Sequence, residues 1–147
     1  MRKDVLFMGT VILFGLAALA AGCGSANNTG STPLVGKTIA SGPAGNNLTA
    51  TLSNTDGSLK KGSQEFTLTF ADAAGKPVDV GSAAFNLHMA AMGGMGAMND
   101  AATLTTTATP GVYKGKVEVE MTGEWQAQIT YEGPAGKGSF TLPINAK

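Results

Sequence analysis

Cysteine, histidine and tryptophan each occur only once in this 147-residue chain, and charged side chains make up only 14% of it. An exported domain held together by disulfides would carry an even set of cysteines, so the sequence excludes a disulfide framework. A structural zinc site needs several cysteines or histidines. The chain also lacks an evident nucleophile–base pair or paired carboxylates. We therefore expect neither a zinc centre nor an enzyme.

The few charges are balanced in sign and scattered along the chain. Ten basic and ten acidic side chains are present, without a basic patch or a run of one sign. Nucleic acid and anionic membrane surfaces attract clustered Lys and Arg, so we expect no nucleic-acid partner. Asp72, Asp79 and Asp100 are well separated, whereas a calcium loop needs several closely spaced oxygen ligands.

The long apolar run of this chain lies at its amino terminus. Arg2 and Lys3 precede apolar residues 5–21, and small residues then lead to Cys23. A charged start, an apolar middle and small residues before a cleavage point are typical of an export signal and not of a spanning helix. Residues 1–22 are therefore predicted to be a signal peptide.

The stretch Leu19-Ala-Ala-Gly-Cys23 resembles a bacterial lipobox, although its leucine sits one position further upstream than usual. In that family the peptide is cut before the cysteine, whose sulfur then carries a diacylglycerol. Buried acyl chain holds a protein on a membrane with about 0.8 kcal/mol per methylene. Cys23 is therefore predicted to anchor the protein in the cell envelope, facing the periplasm or the exterior. Gly24 stands where some lipoproteins carry the aspartate that retains them at an inner membrane, which favours the outer membrane in a cell with two membranes.

Residues 23–45 are predicted to be the anchor cysteine and a flexible tether. Gly, Ser, Asn, Thr, Ala and Pro dominate residues 24–45, and such a segment buries too little apolar surface to offset its chain entropy. Residues 46–147 are enough for one domain.

Alternation of apolar and polar residues dominates this domain and predicts strands. Clear runs cover residues 64–70, 113–121, 125–131 and 139–144, and weaker runs cover 46–53, 83–89 and 101–107. Turn-prone sequences separate them, and the Met121-Thr-Gly-Glu124 segment predicts a hairpin. About seven short strands with this spacing predict an all-β, immunoglobulin-like antiparallel β-sandwich. Pro143 suits an edge strand or a strand end.

Four of the seven methionines and the only histidine fall within eleven residues, namely His88, Met89, Met92, Met95 and Met98. Thioether sulfur is a soft donor and imidazole a borderline one, and together they suit Cu(I). Glycines between the methionines let the backbone bring several sulfurs together. We predict these five residues as ligands of a soft metal. If Phe85, Leu87 and Met89 face the core, His88 faces outward, and strand alternation then separates Met89 from His88.

Two other interpretations of the Met-rich segment remain open at this point. Methionine fills cores and forms pliable contact surfaces, so the segment could dock on a membrane complex of the envelope without any metal. The thioethers could also consume oxidants through reversible sulfoxide formation. Trp125 is expected in the core, and the sequence does not decide whether Met121 and Trp125 approach the segment.

Three motifs in chain order, at residues 85–92, 110–115 and 121–125, resemble a YtkA-like (FixH-related) domain over about residues 46–147. They are a Met-x-x-Met segment, a Gly-x-Tyr-x-Gly strand start and a Met-x-Gly-x-Trp segment, and they place the family's motif residues at Met89, Met92, Tyr113, Met121, Gly123 and Trp125. The chain departs from the family at Ala90-Ala91, where proline is common, and by adding Met95 and Met98.

The resemblance implies an exported or membrane-bound immunoglobulin-like sandwich. It also implies partners such as a heavy-metal efflux adaptor or a protein that assembles a copper-dependent oxidase. A metal-binding role is commonly assumed for such domains.

Overall fold

The computed structural model describes residues 36–147. These residues form nine β-strands, which are β1 (Lys37–Gly45), β2 (Leu48–Asn54), β3 (Gly62–Ala71), β4 (Ser82–Met89), β5 (Met98–Ala101), β6 (Thr103–Thr106), β7 (Val112–Val119), β8 (Gly123–Gly133) and β9 (Gly136–Ala146). Residues 36–147 contain no helix that is long and apolar enough to cross a membrane. The predicted signal peptide and Cys23 lie outside the described residues.

The strands form two antiparallel sheets, so the predicted β-sandwich is confirmed. One sheet has the order β1-β2-β3-β7-β6 and the other the order β5-β4-β8-β9. The predicted alternation places the apolar side chains of each sheet between the two layers, with Phe66, Leu68 and Phe70 of β3 all buried. Pro143 lies on β9, an edge strand, where its missing N–H interrupts no interior ladder.

The described residues contain nine strands instead of about seven, for two reasons. The predicted run 101–107 divides into the end of β5 and all of β6, which belong to different sheets. A strand that changes sheets at a corner keeps its alternation, so one continuous pattern hides the break. The other additional strand is β1.

Strand β1 corrects the predicted boundary between tether and domain, because residues 37–45 pair with β2 and do not belong to a tether. Asn46 and Asn47 both have positive φ, 52° and 58°, which produces the two-residue turn that folds β1 onto β2. Backbone hydrogen bonds to β2 hold this strand although most of its side chains are small. The composition of residues 24–45 therefore predicted a start of the domain that lies too far along the chain.

The Met121-Thr-Gly-Glu124 segment is not a hairpin, which corrects a second prediction. Strand β7 belongs to the five-stranded sheet and β8 to the four-stranded sheet, so this segment crosses from one layer to the other. The indole Nε1 of Trp125 donates a hydrogen bond to the backbone oxygen of Met121 at 3.0 Å. The turn chemistry was recognised from the sequence, but a short turn does not say whether the next strand returns to the same sheet.

Candidate functional site

The Met-rich segment forms the end of a β-hairpin that joins β4 to β5. His88 is paired with Asn99, and Met89 with Met98. Beyond a short irregular stretch, Met92 and Met95 form another antiparallel bridge. The three pairs share one register, centred on Gly93 and Gly94.

Gly93 and Gly94 are the two central residues of the turn at the tip. Their φ angles are 53° and 90°, and two successive positive φ values define a type I′ turn, which glycine adopts most readily. The N–H of Met92 donates to the oxygen of Met95 at 3.2 Å, and the N–H of Met95 donates to the oxygen of Met92 at 2.9 Å. Directly opposed residues of a hairpin project their side chains on the same face, so both thioether side chains start from one face of the turn.

The register divides the four methionines of the segment into two pairs with different environments. Met89 is 3% exposed in the core, and its partner Met98 is partly buried against the same core. Met92 and Met95 are 56% and 47% exposed, and they are the exposed large hydrophobic residues among residues 36–147. The first pair serves packing, and the second is free to meet a ligand or a partner.

His88 faces outward, as the alternation predicted, because Phe85, Leu87 and Met89 are all buried. Its Nδ1 lies 2.9 Å from Oδ1 of Asn99 on the neighbouring strand. Asn99 in turn lies within hydrogen-bond distance of Asn86, at 3.4 Å. The imidazole is therefore held by side chains on the outer face of the four-stranded sheet.

A shallow depression of about 390 Å³ lies where this outer face meets the hairpin. The residues around it include His88, Met89, Met92, Glu124, Trp125 and Asn145. Trp125 is 1% exposed, so it contributes little surface to the depression. Trp125 thus approaches the base of the hairpin. The backbone oxygen of Met121 accepts a hydrogen bond from the Trp125 indole, and the Met121 side chain is partly buried against the core.

The candidate donor set combines two soft thioethers with one borderline imidazole. His88 and Met92 line the same depression, and Met95 is the cross-strand partner of Met92. These groups fit Cu(I) better than a hard cation, which prefers oxygen ligands. No group of three or more His, Cys, Asp or Glu side chains that could hold a metal occurs in the described part of the chain.

Sequence reasoning missed two polar residues of this site, Asn99 beside His88 and Glu124 at the depression. Alternation did place Asn86 on the outer face beside His88, but without a role. Sequence reasoning also missed the turn at Gly93-Gly94. A usable signal was present, because Met89, Met92, Met95 and Met98 are arranged symmetrically about the two glycines. Gly-Gly between strands is a hairpin signal, and this symmetry predicts the observed cross-strand pairs. Glu124 carried no comparable signal, since its place at the depression depends on the pairing of β8 with β4.

Residues 44–130 match the sequence profile of the YtkA-like family. The match covers more than half of the chain and includes the hairpin tip, Tyr113 and the 121–125 motif. Searches of curated proteins and of solved structures found no significant match.

Proposed function

This chain belongs to the YtkA-like family, and on that basis we propose that it is a lipid-anchored copper-handling domain that binds Cu(I) at its hairpin tip. The family match supports an extracytoplasmic domain. Within the proposal, His88, Met92 and Met95 hold the metal. Met89 and Met98, which the sequence also indicated as ligands, are assigned to the core because of their burial.

The observation that carries the proposal is the exposed pair Met92 and Met95 beside an outward histidine. A two-residue turn holds both thioethers on one face of the hairpin. Preorganised ligands lose less conformational entropy on binding than ligands on a free chain. Three neutral donors can therefore meet one soft ion without the core being disturbed.

The chemistry of these donors favours capture that is easily reversed. Neutral thioethers and imidazole add no negative charge, so they attract the ion less strongly than thiolates would. A partly open site also lets another protein approach the bound ion. These properties suit a domain that passes copper to an efflux adaptor or to a protein that assembles a copper-dependent oxidase.

Anchoring through Cys23 keeps the proposed site at a membrane surface. The exported protein is expected in the membrane fraction, and Cys23→Ser is expected to move it to the soluble fraction. An unchanged distribution of the variant would contradict the anchor while leaving the metal site untested by this experiment.

The decisive experiment is an anaerobic Cu(I) titration against a chromophoric competitor. The exported protein is purified in detergent, with Cys23 lipidated or replaced by serine so that no free thiol competes for copper. One equivalent is expected to bind. The double variant Met92→Leu/Met95→Leu removes two of three donors, so its affinity is expected to fall by more than about 100-fold, since changing even outer-shell partners of a metal costs 10- to 100-fold.

Met98→Leu is the matched control, because it removes a thioether of the same segment that packs against the core. Its Cu(I) affinity is expected to match the wild type. Equal affinity of the wild type and the double variant would contradict the proposed site. Absence of binding by the wild type would contradict the copper function altogether.

A second candidate function is docking on an envelope membrane complex, and the exposure of Met92 and Met95 favours it. An exposed apolar tip on an otherwise polar surface can mark a contact site, and flexible methionine adapts to a partner's shape. Replacement by leucine distinguishes the two functions, because leucine keeps apolar area but cannot ligate copper. If cells that carry Met92→Leu/Met95→Leu keep the function of this protein, the result would support docking over copper binding.

A further inference from the structure

We infer that Asn99 is a positioning residue that keeps the His88 imidazole protonated on Nδ1 and leaves Nε2 as its metal-donor atom. Nothing in the sequence motifs assigns a role to Asn99. The inference rests on the proposed function for its consequence, which is copper affinity. The tautomer itself is a property of the protein without metal and is measured separately.

The chemistry of the two contacting atoms determines the tautomer. Nδ1 of His88 lies 2.9 Å from Oδ1 of Asn99, and an amide oxygen accepts hydrogen bonds but cannot donate one. With Oδ1 of Asn99 as its partner, Nδ1 carries the proton in this contact. A neutral imidazole has a single N–H, so the lone pair remains on Nε2.

The side chain of Asn86 holds the Asn99 amide in this orientation. Nδ2 of Asn86 donates to Oδ1 of Asn99 at 3.4 Å and to Oε1 of Gln128 at 3.2 Å. Rotating the Asn99 amide alone by 180° would place an NH2 group against the NH2 of Asn86, so the three amides of this row share one orientation. The row Gln128–Asn86–Asn99 spans β8, β4 and β5, so three strands support the contact to His88.

This arrangement matters for a metal because a histidine ligand binds through the ring nitrogen that lacks a proton. A hydrogen bond from the other nitrogen sets the tautomer and orients the ring, and loss of such a partner commonly lowers metal affinity by about 10- to 100-fold. With Nδ1 bonded to Asn99, Nε2 is the nitrogen available beside the depression that Met92 also lines.

The test is the ¹⁵N NMR spectrum of the neutral His88 imidazole, the only histidine in the chain. The whole exported protein is used, first without metal. Wild type is expected to show Nδ1–H and an unprotonated Nε2. Asn99→Asp keeps an oxygen acceptor and should keep this tautomer, whereas Asn99→Leu should shift the population towards Nε2–H.

Cu(I) affinity is then measured on the same samples. Asn99→Leu is expected to lower it by about 10- to 100-fold, and Asn99→Asp is expected to restore most of that loss. Gln126→Leu is the control for the tautomer alone, because Gln126 pairs with His88 on β8 and also lines the depression, but takes no part in the hydrogen-bonded row. It should leave the tautomer unchanged.

The outcomes separate this inference from the proposed function. Predominant Nε2–H in the wild type overturns the inference whatever copper does, and this measurement needs no variant to fold. An unchanged tautomer in a folded Asn99→Leu variant also overturns it. Nδ1–H in a wild type that binds no copper supports the positioning by Asn99 and contradicts only the copper function.

Discussion

Met92 and Met95 exchange both of their backbone hydrogen bonds across a two-glycine turn, at 3.2 and 2.9 Å. This pairing converts a spacing of three residues along the chain into two side chains on the same face of a hairpin. The same register continues to Met89 and Met98, whose side chains pack against the core. One hairpin therefore holds a structural pair and an exposed pair of methionines.

Gly94→Ala is expected to loosen the turn without disturbing the rest of the domain. Gly94 has a φ of 90°, and a side chain in this region costs about 1–2 kcal/mol. Nothing lies within 4 Å of the added methyl, so the cost is conformational only. Amide hydrogen exchange of Met95 should accelerate by a factor of about 5–30, with the core amides unchanged.

Gly93→Asn is the matched control for this turn. Gly93 has a φ of 53°, and asparagine followed by glycine is a preferred type I′ pair. Protection of the Met95 amide should be retained. Equal protection in Gly94→Ala and Gly93→Asn would contradict the assigned turn.

The two methionine pairs should differ sharply in their contribution to stability. Met89→Ala empties space in the core, where Met89 is 3% exposed, so the free energy of unfolding should fall by about 2–5 kcal/mol. Met92→Ala changes an exposed side chain and should remain within about 0.5 kcal/mol of the wild type. Urea denaturation of both variants measures the difference, and similar losses in the two would contradict the division.

Tyr131→Phe should weaken the attachment of β1 to the other sheet. The Tyr131 hydroxyl donates to the backbone oxygen of Ala44 at 3.0 Å and accepts from Nδ2 of Asn46, also at 3.0 Å. Removing it leaves the buried Ala44 oxygen without this donor, which costs about 1–3 kcal/mol.

Thermal or urea unfolding of Tyr131→Phe is compared with Thr130→Val, a change at the exposed neighbouring position that should stay within about 0.5 kcal/mol. Hydrogen exchange should localise the loss to β1. A loss of stability spread evenly over both sheets, without faster exchange in β1, would argue against this role.

Asp100→Asn is expected to stabilise the protein at neutral pH. Asp100 is paired with Leu87, which is fully buried, so its carboxyl points towards the core side of edge strand β5. Burial, followed by the negative charge of Glu120, raises the pKa of Asp100 above its ordinary value of 3.8. The folded protein therefore holds this proton more tightly than the unfolded chain.

The sign of the pH dependence follows from proton linkage. The stability associated with protonated Asp100 is fully present below pH 3.8 and is lost as the pH rises through the higher folded-state pKa. The advantage of Asp100→Asn should thus be small at pH 3.5 and should reach at most about 1 kcal/mol at pH 7, the scale of charge interactions at partly exposed sites. Urea denaturation at both pH values measures it.

Asp56→Asn is the control with the opposite sign. The Lys60 ammonium, 2.7 Å away, lowers the pKa of Asp56, so the contribution of this carboxylate is present above pH 3.8 and is lost as the pH falls. The free energy of unfolding of Asp56→Asn should not exceed that of the wild type at pH 7. A stability gain in Asp56→Asn equal to that in Asp100→Asn would contradict the stated cause.

An inward carboxylate on an edge strand also has a use that offsets its cost. Charges that point inward discourage another strand from pairing with an exposed edge. Asp100 occupies such a position on the four-residue strand β5. This explains why the fold tolerates a group that burial opposes.

The amino-acid sequence by itself determined the layer architecture and the face on which most side chains lie. Alternation in residues 64–70 places Phe66, Leu68 and Phe70 inward, and the structure agrees. The same rule placed His88 outward and Met89 inward. Alternation is local: each residue's face depends only on its neighbours along the strand, so it can be read without knowing the partners.

Only the tertiary structure decided which strands are partners. Strand β1 belongs to the domain because β2 offers it hydrogen bonds, and the 121–124 segment changes sheets because β8 pairs with β4 and β9. The β4–β5 hairpin is the exception, because Gly93-Gly94 signals the pairing of His88 with Asn99 within one short segment. The places of Gln126 and Gln128 beside β4 follow instead from the pairing of β8 with β4. Pairing of that kind depends on residues far apart in sequence and on the packing of the whole core, which no short pattern encodes.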